Sequence, residues 1–493
     1  MKKRNKFNLS HYRLISGNAG VLTPITHFEV LPGDTIQHQP SVLLRASPLL
    51  APVMHRFQVR LHTFFVPYRL LDENWEDFIT GKGTTPPQQI DLKTFDWGDG
   101  AGSVGVGSLA DYLEIKPNDY SSAPDATDVS VNAFPLLAYN RIYNEFYRDE
   151  DLISEVSDLD PALKRIAWGK DYFTAARPWP QKGTAITLPL GDRAPVTYDG
   201  PFDGTTSNTN TPALTDSSGL LHPLRADAGN NFVVPTSTTN PAYNPLYADL
   251  SDGTSASVRD VRLAFGLQRY EEARAMYGSR YSEYLRYLGV TPGDARLQRP
   301  EYLGGGKRDI SFSEVLQTAE CTEPVGTMRG HGISGLSARP YRKFIPEHGI
   351  VMTLLSVRPQ SIYMDGMHRS WFKQTKEDYF QKELQFIGQQ AVYNGEVYFG
   401  SDGANHDVMS YSDRYAEYRQ HPSSVAGDFR TTLNFWHAAR SFSSRPALNQ
   451  SFVECDPTGR IFAVPSEDTF WIATQHKIGA RRIVSASTAA RII

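Results

Sequence analysis

From His55 to Pro67 the chain reads HRFQVRLHTFFVP, and its apolar and polar positions alternate. Phe57, Val59, Leu61 and Phe65 fall on one side, Arg56, Gln58, Arg60 and His62 on the other. A period of two over this length predicts a strand with one buried face. HGIVMTLLSVRP (His348–Pro359) is a continuous apolar run bounded by Gly and Pro, which predicts a strand covered on both faces. EVYFG (Glu396–Gly400) and DTFWIATQHKI (Asp468–Ile478) are further strand candidates. Helical spacing occurs in AYNRIYNEFYRDED (Ala138–Asp151), where Tyr139, Ile142, Tyr143, Phe146 and Tyr147 share a face. It recurs from Val261 to Val290 through Val261, Ala264, Leu267, Tyr281, Tyr284, Leu285 and Leu288, with Gly289 and Pro292 as the stop. These helices read as insertions into a strand-rich chain.

Between the two helical regions the character changes. From Ala194 to Val258 the one Lys or Arg is Arg225, and Thr, Ser, Asn, Asp, Gly and Pro dominate. A loop this long is either disordered or functional. FVVP, starting at Phe232, and YNPLY, from Tyr243 to Tyr247, supply apolar anchors, so an ordered knob is expected, with a disordered spacer as the alternative. No internal repeat is visible at a fixed period. No apolar stretch reaches the length that spans a bilayer, so no membrane insertion is expected.

Composition sharpens this picture in two places. Aromatics make up 12% of the 493 residues, with 38 Gly and 32 Pro, a mixture that favours strands and turns. The formal net charge is −4, yet both ends are basic. Lys2, Lys3, Arg4 and Lys6 open the chain without an apolar run behind them, so no secretory signal is expected. From Thr469 onward there is no Asp or Glu, while Lys477, Arg481, Arg482 and Arg491 occur.

Candidate chemistry is sparse. GHGISG (Gly330–Gly335) spells a dinucleotide motif, but Pro340 truncates the helix that motif needs. GGGK (Gly304–Lys307) lacks the first glycine and the Ser or Thr of a phosphate loop, and reads as a turn. Asp149, Glu150 and Asp151 could supply a glycosidase carboxylate pair, though an acidic run after an amphipathic helix is more often solvated. Cys321 and Cys455 sit in no metal or redox spacing and read as buried thiols. Thirteen histidines form no HExxH pattern. No cofactor, no metal and no catalytic set is expected. YAEYRQHPSSVAGDFRTTLNFWH (Tyr415–His437) concentrates Tyr415, Tyr418, Arg419 and Trp436, residue types that dominate protein–protein contacts. Composition alone leaves interface and internal packing equally open.

Four blocks carry a resemblance: LLAPVMHRFQVRLHTFFVPYRLLDENWEDFITG (Leu49–Gly81), FPLLAYNRIYNEFYRDEDL (Phe134–Leu152), DARLQRPEYLGGGKRDISFSEVLQTAE (Asp294–Glu320) and DRYAEYRQHPSSVAGDFRTTLNFWH (Asp413–His437). With FIPEHGIVMTLLSVRP (Phe344–Pro359) they span most of the chain in order. The sequence resembles the major capsid proteins of the Microviridae, in particular the gokushovirus-like branch. The resemblance implies an eight-stranded viral jelly roll, mainly β, with long loop insertions containing several helices. It implies a T=1 icosahedral shell of copies of the chain around circular single-stranded DNA, with a small basic packaging protein as a further partner. The location implied is the virion, after synthesis in the bacterial host cytoplasm. The expected division is a basic arm over residues 1–20, a shell domain over 21–193 and 259–493, and a surface protrusion over 194–258. Lys2, Lys3, Arg4, Lys6, Arg481 and Arg482 are expected to face DNA, with solvated ends as the alternative. Tyr415, Tyr418, Arg419 and Trp436 are expected at a subunit contact. Phe232, Tyr243 and Tyr247 are expected in the protrusion that meets a host cell-surface receptor. The competing reading is a carbohydrate-binding or carbohydrate-active β-sandwich, in which Trp and Tyr stack on sugars.

Overall fold

The strands of the main frame are β1 (Asn5–Asn8), β2 (His11–Gly17), β3 (Leu22–Val30), β4 (Thr35–Ala46) and β5 (Phe57–Pro67). After a long excursion come β6 (Glu301–Asp309), β7 (Ser311–Leu316), β8 (Met328–Ser337), β9 (Tyr341–Phe344) and β10 (Gly349–Pro359), and finally β11 (Phe470–Arg482). This computed structural model describes residues 4–123, 129–184, 186, 258–318 and 326–485, with short strands at 196–198, 213–216, 221–223, 225–226, 232–233 and 246–248. In the seven-stranded sheet β1 and β2 both pair with β11, β11 pairs with β4, β4 pairs with β8 and β9, and β8 pairs with β7. The four-stranded sheet runs β6-β5-β10-β3. The chain crosses between sheets from β2 to β3, β3 to β4, β4 to β5, β6 to β7, β9 to β10 and β10 to β11. The result is a mainly β sandwich of jelly-roll type with long insertions.

Two cores explain the two strand patterns. Between the sheets, Val42, Leu44, Phe470 and Ile472 meet Val59, Leu61, Leu355 and Val357, each worth about 2 kcal/mol of apolar burial. On the opposite face of the four-stranded sheet lies α1 (Phe134–Phe146), whose Phe134, Leu137, Tyr139 and Tyr143 cover Phe64, Val66, Met352 and Leu354. The Tyr139 hydroxyl donates to the Leu22 carbonyl at 2.8 Å and accepts from the Lys164 amide at 3.0 Å, so the helix buries its polar tip without loss. The expected one-faced burial of β5 therefore holds only as far as His62; from Thr63 both faces are covered. β10 is buried on both faces, as its apolar run predicts.

Other expectations are corrected. Asn394–Val397 is a helical turn, not part of a strand. The cause is Glu396, whose carboxylate is buried against Arg369 at 2.7 Å and accepts from the Tyr172 hydroxyl at 3.0 Å. GGGK is not a turn but the middle of β6, where the register shifts between Tyr302 and Gly304. A Cβ on Gly305 would lie 2.0 Å from the Leu61 carbonyl oxygen, so glycine permits this pairing. The long helix splits into α2 (Val258–Tyr277) and α3 (Tyr281–Tyr287). Gly278 takes φ +94° at the break, and Arg280 donates to the carbonyls of Asn144 and Arg148 at 2.7 and 2.8 Å. Ala275 is the one fully buried residue of α2.

Asn5–Asn8 and His11–Gly17 are strands paired along β11 and not a free arm; residues 1–3 lie outside the described residues. The chain forms two compact units, Met1–Pro180 with Arg274–Ile493, and Gln181–Ala273. The second is wider than the expected 194–258. It holds a sheet in the order Leu221–Pro223, Ala213–Asp216, Val196–Tyr198, Leu246–Ala248, and a pair formed by Arg225–Ala226 and Phe232–Val233.

Candidate nucleic-acid interface

Period-two alternation gives the seven-stranded sheet an outward face opposite the core. Register pairing arranges that face in rows. One row runs Lys6, Arg481, Thr35, Phe344; the next runs Asn8, Gly479, Gln37, Arg342. Lys477 lies beside Gln39. Further along come Tyr12, Gln475, Ser41 and Ser337, then Leu14, Ala473, Leu43 and Gly335, then Ser16, Trp471, Arg45 and Ile333. Arg329 and His331 follow on β8. Strands β1, β2, β4, β8, β9 and β11 contain no Asp or Glu at all. Lys6, Arg45, Arg342, Lys477 and Arg481 form no ion pair among the described residues. Three aromatic rings, Tyr12, Trp471 and Phe344, are more than half exposed between these cations.

Such a face is costly by itself. Lys6 stands directly opposite Arg481 in the β1–β11 register, and like charges so placed repel. The face has the chemistry to take a polyanion as countercharge, and its exposed rings suit stacking of bases without sequence preference. A groove of about 730 Å3 beside Trp471 is bordered by Arg45, Arg329 and His331. Arg4 belongs to the same end of the sheet: its guanidinium donates to the Gly33 carbonyl at 2.8 Å and lies 6.0 Å from the Phe344 ring centroid. Lys2 and Lys3 lie outside the described residues. Arg482 departs from expectation. It turns inward, 2.9 Å from the fully buried Asp34 carboxylate, and donates to the Glu29 carbonyl at 2.7 Å. Its charge is spent inside the fold. Sequence reading missed Arg45, Arg342, Tyr12, Trp471 and Phe344; their signal is the joint absence of carboxylates from strands that only the topology places side by side.

A second surface gathers the aromatic segment. Tyr415 is buried in its own chain, with its hydroxyl accepting from the Gln381 amide at 3.1 Å and donating to the Tyr379 carbonyl at 3.1 Å. It is thus a support, not a contact residue. Tyr418 is exposed, with the Lys373 ammonium 4.1 Å from its ring centroid and donating to its hydroxyl at 2.8 Å. Arg419 is exposed and donates to the Arg414 carbonyl at 2.8 Å. Trp436 is half-buried, and its carbonyl accepts from the Met54 amide at 2.9 Å. Beside Tyr418, Phe380 is exposed, and Trp371, Phe386 and Ile387 on the same stretch are too. Phe232 and Tyr247 lie on the short strands of the second unit, whereas Tyr243 and Cys321 fall outside the described residues.

The remaining candidates change role. The acidic run is not solvated. Asp149 is buried between Lys170 at 2.6 Å and Arg177 at 3.1 Å, Asp151 lies 3.5 Å from Arg177, and Glu150 lies 3.1 Å from Arg280. Burial opposes ionisation of Asp149, but Lys170 and Arg177 outweigh it and hold its carboxyl below the usual range. GHGISG lies within β8, where a Cβ on Gly330 would lie 2.4 Å from the Ala51 carbonyl oxygen and one on Gly332 would press on the Phe312 ring at 2.8 Å; these two glycines serve packing. Cys455 is buried, and burial pushes its thiol up to about 12.

Comparison with known proteins places these surfaces in context. Residues 1–490 match the family described as "Capsid protein (F protein)". The chain is 33% identical to "Capsid protein VP1" of Bdellovibrio phage phiMH2K, covering 96% of this chain and 93% of that one. It is 31% identical to the VP1 capsid protein of Chlamydia phage 1, over 95% and 92%, and 29% identical to that of Spiroplasma virus 4, over 92% and 88%. The resemblance read from the sequence blocks is borne out along nearly the whole length. The chain belongs to the F-type capsid protein family of the Microviridae.

Proposed function

We propose that this chain builds a T=1 icosahedral shell and that the carboxylate-free face of its seven-stranded sheet lines the interior against circular single-stranded DNA. The observation that carries the reading is six neighbouring strands with no Asp or Glu, exposed rings, and between them Lys6, Arg45, Arg342, Lys477 and Arg481, which form no ion pair among the described residues. The body's net charge of −4 would otherwise oppose a genome, so the positive charge must be local. The cations on one face are too few to neutralise a packaged genome, so a small basic packaging protein or polyamines complete the balance. The exposed aromatic stretch around Tyr418, Phe380 and Phe386 serves contacts between copies. The reading assigns no catalytic step to the chain and places it in the virion after synthesis in the bacterial cytoplasm.

The insertion over residues 194–258, nearly free of Lys and Arg, suits solvent and not a DNA-filled interior. We assign it to attachment at a host cell-surface receptor, since long insertions on rigid frames commonly carry recognition. Replacing it by a Gly/Ser linker should leave shells that package DNA but do not adsorb to cells; normal infectivity would remove the receptor role. For the interior face the test is the double variant Lys477→Glu, Arg481→Glu. Shells should still form, and their DNA content should fall by at least half. Unchanged DNA content would reject the assignment.

A further inference from the structure

We propose that a pocket on the outer side of the four-stranded sheet binds a phosphate group. The cavity measures about 390 Å3 and lies between β5, β10, the turn after α1, and the Gly278–Arg280 break. Its carboxylates are already matched: Asp149 and Asp151 by Lys170 and Arg177, Glu150 and Glu283 by Arg280. Among the described residues, three cations of the lining form no ion pair: Arg148, which donates to the Ile153 carbonyl at 2.9 Å, and the neighbours Arg60 and Arg358. Arg60 pairs in register with Ser356, and Arg358 with Gln58, so both point to the same face as diagonal neighbours. Among the described residues, Arg60 donates to the Gln58 side-chain oxygen at 2.6 Å and Arg358 to the Ala167 carbonyl at 3.1 Å. Neither has a carboxylate partner among the described residues.

Two guanidinium groups sharing a half-buried pocket without an anion are costly. Burial, and then Arg60, hold Arg358 below its ordinary value. His62, the next residue on that face, does not add charge. Burial first, then Arg60 and Arg358, bring it to about 4, and its Nδ1 bonds the Tyr147 hydroxyl at 2.6 Å. A tetrahedral oxyanion with two charges suits this arrangement, because each planar guanidinium can grip two of its oxygens. The space exceeds one phosphate and leaves room for an attached group. The phosphate could be free, carried by a mononucleotide, or part of a DNA backbone. This face is opposite the one proposed to line the shell, and the inference stands independently of that proposal.

The experiment measures binding of three probes to the unassembled full chain by calorimetry at constant ionic strength: inorganic phosphate, thymidine monophosphate, and an oligothymidylate without terminal phosphate. Arg358→Gln and, separately, Arg60→Gln are compared, each with its folding checked by circular dichroism. Saturable binding of phosphate or the mononucleotide that weakens at least tenfold in both variants supports a free phosphate ligand. The same dependence confined to the oligonucleotide supports a backbone phosphate. Binding unchanged in both folded variants, or no binding of any probe, overturns the site. If no probe binds while Arg358→Gln blocks assembly, the pocket receives a carboxylate from a neighbouring copy, and the phosphate proposal fails.

Discussion

Arg481 and Arg482 are adjacent in the chain and opposite in environment. Arg482 neutralises Asp34, whose side chain is fully buried, so Arg482→Ala strands a charge in the core and should cost about 3 kcal/mol. Arg481 faces outward beside Lys6. Arg481→Ala should change stability by less than about 0.5 kcal/mol, since it removes repulsion and no packing, while making DNA retention more sensitive to salt. Urea unfolding of both variants, with DNA release from particles at increasing salt, measures the contrast; equal stability losses would contradict it. The sequence shows only a basic pair near the end of the chain. Which member faces inward depends on strand parity, and the apolar alternation that sets parity is legible only as far as Ile478. The strand runs on to Arg482, so the last step was beyond reach.

Regular elements were legible where one periodicity ran long enough. β5, β10, β11 and α1 each follow from spacing, because a strand or helix covered on a known face must repeat every two or about 3.6 residues. Elements fixed by a single polar contact were not. The turn at Asn394–Val397 exists because Glu396 is buried with Arg369 and Tyr172, and no local pattern announces that. The same holds for Asp149–Asp151, whose partners Lys170, Arg177 and Arg280 come from distant segments. The stretch from Arg369 to Ile387 consists of short 3-10 turns, which carry no period, and it leaves Trp371 and Phe386 among the most exposed apolar side chains. In a capsid protein these are candidates for copy-to-copy contact. The double variant Trp371→Ser, Phe386→Ser should fold normally and raise the concentration needed for assembly at least tenfold. Light scattering against protein concentration would show it, and unaltered assembly would remove this stretch from the contact.

For the assembled fold, acid is the sharpest probe of how the layers are joined. Burial holds the imidazoles of His38, His55 and His62 down to about 4, and that of His476 to about 3, against an unfolded value of 6.5. The unfolded chain therefore takes up these protons first. The stability they allow is intact above 6.5 and is lost as pH falls from 6.5 toward 4, by about 3 kcal/mol for each site fully titrated. Asp149, held below the ordinary carboxylate range, adds its loss only at still lower pH. The melting temperature of the unassembled chain should fall steadily from pH 7 to pH 4; a flat profile would contradict the buried, uncharged histidines. The sandwich and the family are legible in the sequence, because ordered sequence blocks span the chain. The face proposed to meet DNA is legible in the sequence only at its two ends, because its middle is assembled from β4, β8 and β9, which no run of charge connects. The most direct test of the account is ultraviolet crosslinking of DNA in purified filled particles, with adducts mapped by mass spectrometry. Adducts should fall on Tyr12, Phe344 and Trp471, the exposed rings of the carboxylate-free face. Adducts confined to the segment from Arg369 to Ile387 or to the unit Gln181–Ala273 would show that another surface meets the genome.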